Sequence, residues 1–312
     1  MEYHKLGQTP FMVSRICFGA LTMGPLGANL SPAEGAKVLR KALELGVNFI
    51  DTAQYYQTYP HIAAALRGWQ GEVVITSKTY AEDIPTLRQA VEEARQALDR
   101  DRIEIFLLHE QRDAAAVQMH RPLLEELQRL KAAGKIGAVG ISTHNVGAAA
   151  IAAEVEEIEV LHPLINREGV GINGGSVQEM IAAIRAVKAK GKGVYGMKSM
   201  GGGSLMRRAR EMQAWAFQQD FLDAVAIGMK DVREVITNIG WYEGQDPPEA
   251  AELPMVDRNL YFDACLGCGR CAEACQQRAL VLDRGQMTWQ KDKCVFCGYC
   301  IPACPYFYIS FA

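Results

Sequence analysis

The last 51 residues, Phe262 to Ala312, hold eight of the chain's nine cysteines. Cys265, Cys268, Cys271 and Cys275 are spaced C-x2-C-x2-C-x3-C; Cys294, Cys297, Cys300 and Cys304 repeat the spacing, and Pro305 follows. Thiolates two residues apart can converge on one corner of a compact inorganic core. A cysteine three residues further on starts a short helix that points at a second core. The spacing therefore predicts two 4Fe–4S clusters with crossed ligation: Cys265, Cys268, Cys271 and Cys304 around one, Cys294, Cys297, Cys300 and Cys275 around the other. Disulfides fit less well, because they need an oxidising compartment. Met1–Gly7 is polar with no apolar run behind it to act as an export signal, so a cytoplasmic location is expected. Zinc favours paired C-x2-C units and leaves a doubled four-cysteine run unexplained.

This segment resembles a bacterial two-cluster ferredoxin along its whole length, with Gln276 where the first half of that pattern has proline. About fifty residues bury little core, so the metal centres are expected to hold the domain together. The remaining cysteine, Cys17, lies in the apolar run Ile16–Phe18 and reads as a small buried hydrophobe.

A second reactive set stands at the ends of short apolar runs. "NFID" closes on Asp51, "ITSK" on Lys78, and "IFLLHE" places His109 after its run; Tyr56 follows Asp51 by five residues. On neighbouring strands these four side chains can meet and form a proton donor. A tyrosine titrates near ~10, and an adjacent ammonium is expected to lower that by favouring phenolate. Asp51 would keep Lys78 charged and positioned, and His109 would hydrogen-bond a substrate oxygen.

The elements that must position these groups follow from the pattern of the chain. Its 312 residues are 49% hydrophobic and 22% charged with net charge −3, an ordinary globular composition with room for one large domain and one small one. No 18-residue apolar run suggests a membrane span, and no basic block suggests nucleic acid. The short run Arg207–Arg210 reads as a solvated helix face. Strands are predicted at Ile16–Phe18, Val47–Ile50, Val73–Thr76, Ile103–Leu108, Ala138–Ile141, Val160–Ile165, Gly193–Met197 and Ala224–Ile227. Amphipathic helices are predicted at Pro32–Leu45, Pro85–Leu98, Pro122–Ala133, Val177–Ala189 and Val232–Ile239, the first opened by the cap Ser31-Pro32-Ala33-Glu34. This alternation predicts an α/β fold, a (β/α)8 TIM barrel, with catalytic groups at the C-terminal strand ends. A doubly wound sheet is the rival, but no G-x-G-x-x-G follows the first strand. Tyr3–Leu6 and Phe11–Ser14 around Gly7–Pro10 read as a hairpin plugging the barrel bottom.

Residues 1–240 resemble the aldo-keto reductase family. The likeness rests on "HKLGQTPFMVSRICFGALTMG", "NFIDTAQYY", "ITSK" and "IFLLHE" taken together. It implies Tyr56 as general acid/base, Lys78 and Asp51 as its tuners, His109 as the orienting group, and NADP(H) at the barrel mouth. On the nucleotide side the resemblance implies Ser142 and Asn145 in "GISTHN" and Asn166 in "LHPLIN", with His162 in the place of the family's glutamine. Met197 stands where an aromatic ring usually stacks on the nicotinamide, and Lys198 follows it. Backbone amides of Gly201, Gly202 and Gly203 can face a pyrophosphate. Lys230 and Arg233 are implied for the 2′-phosphate and Asn238 for adenine. Lys198 and Gly201–Gly203 would suit a flavin phosphate equally well.

The domain division is thus 1–242 for the barrel, 243–260 for an extended linker and 261–312 for the ferredoxin-type domain. The twenty residues Gly240–Asn259, if extended, span at most about 66 Å, enough to bring the clusters to the barrel mouth. The expected protein is an oxidoreductase acting on a small-molecule carbonyl or alcohol, coupled to two 4Fe–4S clusters and open to a redox protein partner. Its rivals are a reductase fed by ferredoxin or flavin without nicotinamide, a non-catalytic electron-transfer module, and a barrel enzyme whose clusters are structural only.

Overall fold

The computed structural model describes residues 1–253, 259–262, 265–305 and 309–311. A hairpin of β1 (Tyr3–Lys5) and β2 (Met12–Ser14) precedes eight parallel strands. These are β3 (Ile16–Gly19), β4 (Phe49–Asp51), β5 (Val74–Thr79), β6 (Ile103–Leu108), β7 (Ile136–Thr143), β8 (Val160–Pro163), β9 (Gly193–Met197) and β10 (Ala224–Gly228), and β10 pairs with β3 to close the barrel. Parallel strands are covered on both faces, and nearly every residue of these eight is buried. Inside the barrel, Cys17, Phe49, Ile105, Leu107, Val160 and Tyr195 pack with Leu6, Phe11 and Val13 from the hairpin segment, which closes the bottom. Cys17 is fully buried there.

The helices are α1 (Pro32–Glu44), α2 (Tyr59–Leu66), α3 (Ile84–Ala97), α4 (Ala114–Met119), α5 (Arg121–Ala132), α6 (Val146–Ile151), α7 (Val177–Ala189), α8 (Ala209–Phe217) and α9 (Val232–Tyr242). At α1, Glu34 accepts from the Ser31 amide at 2.9 Å while Ser31 accepts from that of Glu34, and Pro32 occupies the first turn, where no amide is needed. The short helices α2, α4, α6 and α8 carry too few turns for a period to be read from sequence. The sixth barrel strand ends at Pro163, two residues before its predicted end, and Leu164 continues only as an isolated bridge to Met197. The segment after α9 is not simply extended. Pro248–Glu252 forms a 3-10 turn, and Pro247 packs so close to Gly240 that a Cβ there would overlap it.

The C-terminal segment pairs β11 (Leu260–Phe262) with β14 (Ile309–Phe311) and carries a second hairpin, β12 (Leu280–Asp283) and β13 (Gln286–Trp289). Two short helices, α10 (Arg270–Glu273) and α11 (Cys300–Ala303), hold one cysteine each, Cys271 and Cys300. Among the described residues no helix is long and apolar enough to cross a membrane.

Candidate active site

The four strand-end residues come together at the C-terminal mouth of the barrel. Asp51 ends β4, Lys78 lies near the end of β5, and His109 follows β6. Tyr56 is set by a 3-10 turn, Gln54–Tyr56, that stops at Gln57 in the left-handed conformation (φ 55°). All four are buried. The Lys78 ammonium donates to both Asp51 carboxylate oxygens at 2.7 and 2.8 Å and to the Thr52 carbonyl at 2.8 Å. Tyr195 donates its hydroxyl to Asp51 Oδ1 at 2.9 Å. The Tyr56 hydroxyl lies 3.4 Å from His109 Nε2. Among the described residues, His109 Nδ1 has no hydrogen-bond partner, and the ring stacks on Tyr80 with centroids 4.2 Å apart.

The electrostatics correct one expectation. The Tyr56 hydroxyl is not lowered by its ammonium neighbour. Burial pushes its pKa well above 10, and Tyr299 and Asp51 add to the shift. The reason is geometric: Lys78 is neutralised by Asp51 and sits over the face of the Tyr56 ring, 4.9 Å from its centroid. Tyr56 therefore holds its proton. Burial also lowers Lys78, an effect that Asp51 partly offsets. Burial, then the Lys78 charge, hold His109 well below 6.5, so it is a neutral imidazole at neutral pH.

Several of the residues implied for a nucleotide make hydrogen bonds or ion pairs within the protein. Ser142 Oγ accepts from the Glu110 amide at 2.8 Å, and Asn145 caps α6 through the Ala148 amide at 3.1 Å. His162 bonds the Tyr195 carbonyl through Nδ1 at 2.7 Å and faces Asp51 through Nε2 at 3.5 Å. Asn166 donates to the Val170 carbonyl at 2.8 Å and accepts from its amide at 3.0 Å. Asn238 accepts from Gln213, and Arg233 pairs with Asp231 at 2.9 Å. Lys230 is exposed, with its amide bonded to Glu234 at 2.8 Å. Met197 and Lys198 follow one another out of β9, with Lys198 left-handed at φ 58°. Gly201, Gly202 and Gly203 form a tight turn whose outer side is covered by Val295.

Val295 introduces what the sequence did not reveal: the cysteine segment lies on the barrel mouth. Tyr299, between Cys297 and Cys300, bonds Tyr80 hydroxyl to hydroxyl at 3.0 Å and packs edge-on against Tyr55 with centroids 4.6 Å apart. Gln277 donates to Glu110 at 3.0 Å and contacts His144 Nδ1; Asn173 donates to Gln277 at 3.2 Å. Glu110 also accepts from Tyr80 at 2.9 Å and pairs with His144 at 2.9 Å. The sequence showed that the linker could reach the mouth, but not that Tyr80 and Glu110, just past β5 and β6, would be the contacts.

The cysteines line two cavities. One is bordered by Cys265, Cys268, Cys271 and Cys304 with Leu266, Met287 and Ile309. The other is bordered by Cys275, Cys294, Cys297 and Cys300 with Leu260, Leu280 and Phe296. Four sulfur donors in an apolar enclosure are a donor set suited to an iron–sulfur core. A depression of about 360 Å3 runs along the seam of the two parts, lined by Tyr55, Tyr80, Ala274, Gln276, Tyr299 and Ala303. A cavity of about 700 Å3 at the opposite end of the barrel, against Glu2, His4, Phe217 and Tyr242, holds none of the candidate residues.

The molecule is thus a closed eight-stranded barrel with a buried Lys–Asp pair beside a tyrosine and a histidine at its mouth, against which the cysteine-rich segment lies. The sequence matches the Aldo/keto reductase family over residues 15–220 and the 4Fe-4S dicluster domain over residues 264–307. The chain belongs to the aldo/keto reductase family and carries an iron–sulfur domain behind its barrel. It is similar to L-galactose dehydrogenase of Arabidopsis thaliana, 26% identical over 46% of this chain and 48% of that protein. It is also similar to methylglyoxal reductase DkgA of Yersinia pestis, 30% identical over 47% of this chain and 55% of that protein. The chain thus spans about half the length of these curated relatives. A solved aldo-keto reductase structure from Pseudomonas aeruginosa superposes with TM-score 0.65 at 26% identity, covering 77% of this chain and 93% of that one. Aldo-keto reductase AKR11C1 from Bacillus halodurans, at 18% identity and TM-score 0.62 over 81% of this chain and 94% of that one, shares the fold.

Proposed function

We propose that the protein is a cytoplasmic oxidoreductase that interconverts a small carbonyl compound and its alcohol, with Tyr56 as the proton-transfer group. The observation that carries this reading is the buried Lys78–Asp51 pair directly beneath Tyr56 and His109. An oxygen seated against both Tyr56 and His109 could take a hydrogen bond from each. Lys78 and Asp51 fix the tyrosine ring without drawing off its proton. A hydroxyl held well above 10 is suited to donating to a developing alkoxide. Abstracting a proton from an alcohol would require phenolate in a buried site, so the arrangement favours reduction. The seam between Tyr55, Tyr80 and Tyr299 is the route by which a small substrate would approach.

In this reading Cys265, Cys268, Cys271 and Cys304 hold one cluster and Cys275, Cys294, Cys297 and Cys300 the other, and the functional units are residues 1–242 and 261–312. The clusters, when bound, supply electrons singly, whereas NADP(H), which the family generally uses, supplies a hydride. A redox protein is the natural partner for the clusters. The chemistry named for the DkgA relative makes methylglyoxal the first substrate to try. The test is to incubate anaerobically reconstituted protein with a panel of small aldehydes and ketones, supplying NADPH or reduced viologen, and to measure the alcohol by chromatography. Alcohol formation is expected. Its absence with every donor, from folded and cluster-loaded protein, would rule the reading out.

A further inference from the structure

We propose, building on that carbonyl–alcohol reading, that the C-terminal domain fills the phosphate seat of the barrel mouth. The docked chain then binds neither NADP(H) nor flavin mononucleotide there. The glycine turn carries the case. Gly201, Gly202 and Gly203 take φ values of 58°, 70° and 119°, which bring backbone amides together as a phosphate nest would. Yet two of the three amides are spent within the loop: Gly201 donates to the Lys198 carbonyl at 2.8 Å and Gly203 to that of Met200 at 3.0 Å. On the outside, a Cβ at Gly202 would overlap the Val295 carbonyl oxygen, and one at Gly171 would overlap the Val295 side chain. Glycine is needed here so that residues of the cysteine segment can lie against the loop. A carbonyl oxygen and a phosphate oxygen are both acceptors, and they cannot share the place.

The covering segment is fixed. Val295 is 1% exposed and Phe296 3%, so no layer of solvent separates them from their surroundings. Tyr299 and Gln277 tie the segment to Tyr80, Glu110 and His144, three residues beside the strand ends that carry Lys78 and His109. Among the residues implied for the 2′-phosphate and adenine, Arg233 pairs with Asp231 and Asn238 accepts from Gln213.

Reduction without a hydride donor must still balance. Forming the C–H and O–H bonds of the alcohol from the C=O double bond takes two electrons and two protons. Tyr56 delivers the proton to oxygen, and solvent supplies the other. The electrons come from a reduced one-electron carrier protein, two carrier molecules being oxidised per carbonyl.

The test is isothermal titration of the full, cluster-loaded chain with NADPH, NADP+ and flavin mononucleotide, with hydrogen exchange read at residues 201–203 and 294–299. No binding tighter than about 1 mM and unchanged exchange at both segments are expected. One-to-one binding at micromolar dissociation constants would overturn the proposal, whether or not the segment 294–299 moves away to allow it. Reduced viologen, added as sole donor with a carbonyl compound, separates the two readings. Alcohol formation supports both. No nucleotide binding and no alcohol with any donor leaves the seat filled, as proposed, and removes the carbonyl–alcohol function. Nucleotide binding together with NADPH-driven alcohol formation keeps the function and removes the filled seat.

Discussion

Glu110 is the acceptor on which the docking of the two parts converges, and replacing it by alanine should release the cysteine segment. Its carboxylate accepts from Tyr80 at 2.9 Å and Gln277 at 3.0 Å, and pairs with His144 at 2.9 Å. A buried donor left without its acceptor costs about 1–3 kcal/mol. Tyr80 keeps Tyr299, and Gln277 keeps Asn173 and His144, so the loss falls short of three full penalties. A docking cost of about 2–4 kcal/mol follows, or roughly 30- to 1000-fold in the docking equilibrium. Native-state hydrogen exchange at residues 294–299 should accelerate by that factor, while exchange in β6 and β7 stays as in the parent. Glu110→Gln keeps one acceptor oxygen and should show a smaller effect. Unchanged exchange in Glu110→Ala would mean that docking does not depend on this network.

Two other perturbations give separable readouts. Cys275→Ala removes one sulfur from the cavity that also holds Cys294, Cys297 and Cys300, so iron should fall from about eight to about four per chain, with the loss confined to one of two paramagnetic signals. Retention of both signals would contradict the crossed grouping. Folding should weaken in acid. Burial lowers His162 to about 3 and His109 well below 6.5. The unfolded chain therefore binds protons that the folded chain refuses. Stability is complete above the unfolded value of about 6.5 and declines as pH falls below it, by about 2 kcal/mol per histidine between neutrality and pH 5. Thermal melting at pH 7.5 and 5 reads this, and His162→Gln should reduce the difference by about half.

What was legible in the sequence depended on local physics. Short, largely apolar runs marked β6 (Ile103–Leu108, interrupted only by Glu104) and β9 (Gly193–Met197, with Val194, Tyr195 and Met197) at the residues they occupy. The cysteine spacings carry their own chemistry, because ligand geometry is set within a few residues. Asp51, Lys78 and His109 could be picked out because each stands at the end of such a run. What failed to show was decided by partners distant in sequence. The expected lowering of Tyr56 took account of Lys78 but not of burial, which pushes the hydroxyl the other way, nor of Asp51 beside the ammonium. The sequence could not show that Val295, far along the chain, lies against Gly202. Tyr299 and Gln277 gave no signal of their own, since a tyrosine and a glutamine among cysteines are uninformative until the fold sets them against Tyr80 and Glu110.

Tyr56→Phe tests the role of the tyrosine most directly. Among the described residues the hydroxyl makes one long hydrogen-bond contact, 3.4 Å to His109, so its removal should leave the fold and iron content intact. Measured as the single-turnover rate of carbonyl reduction by cluster-reduced protein, the variant should be slower by roughly 10²-fold or more, about 2.7 kcal/mol in the barrier, with substrate affinity nearly unchanged. A variant that reduces the carbonyl at the parent rate would contradict proton transfer through Tyr56.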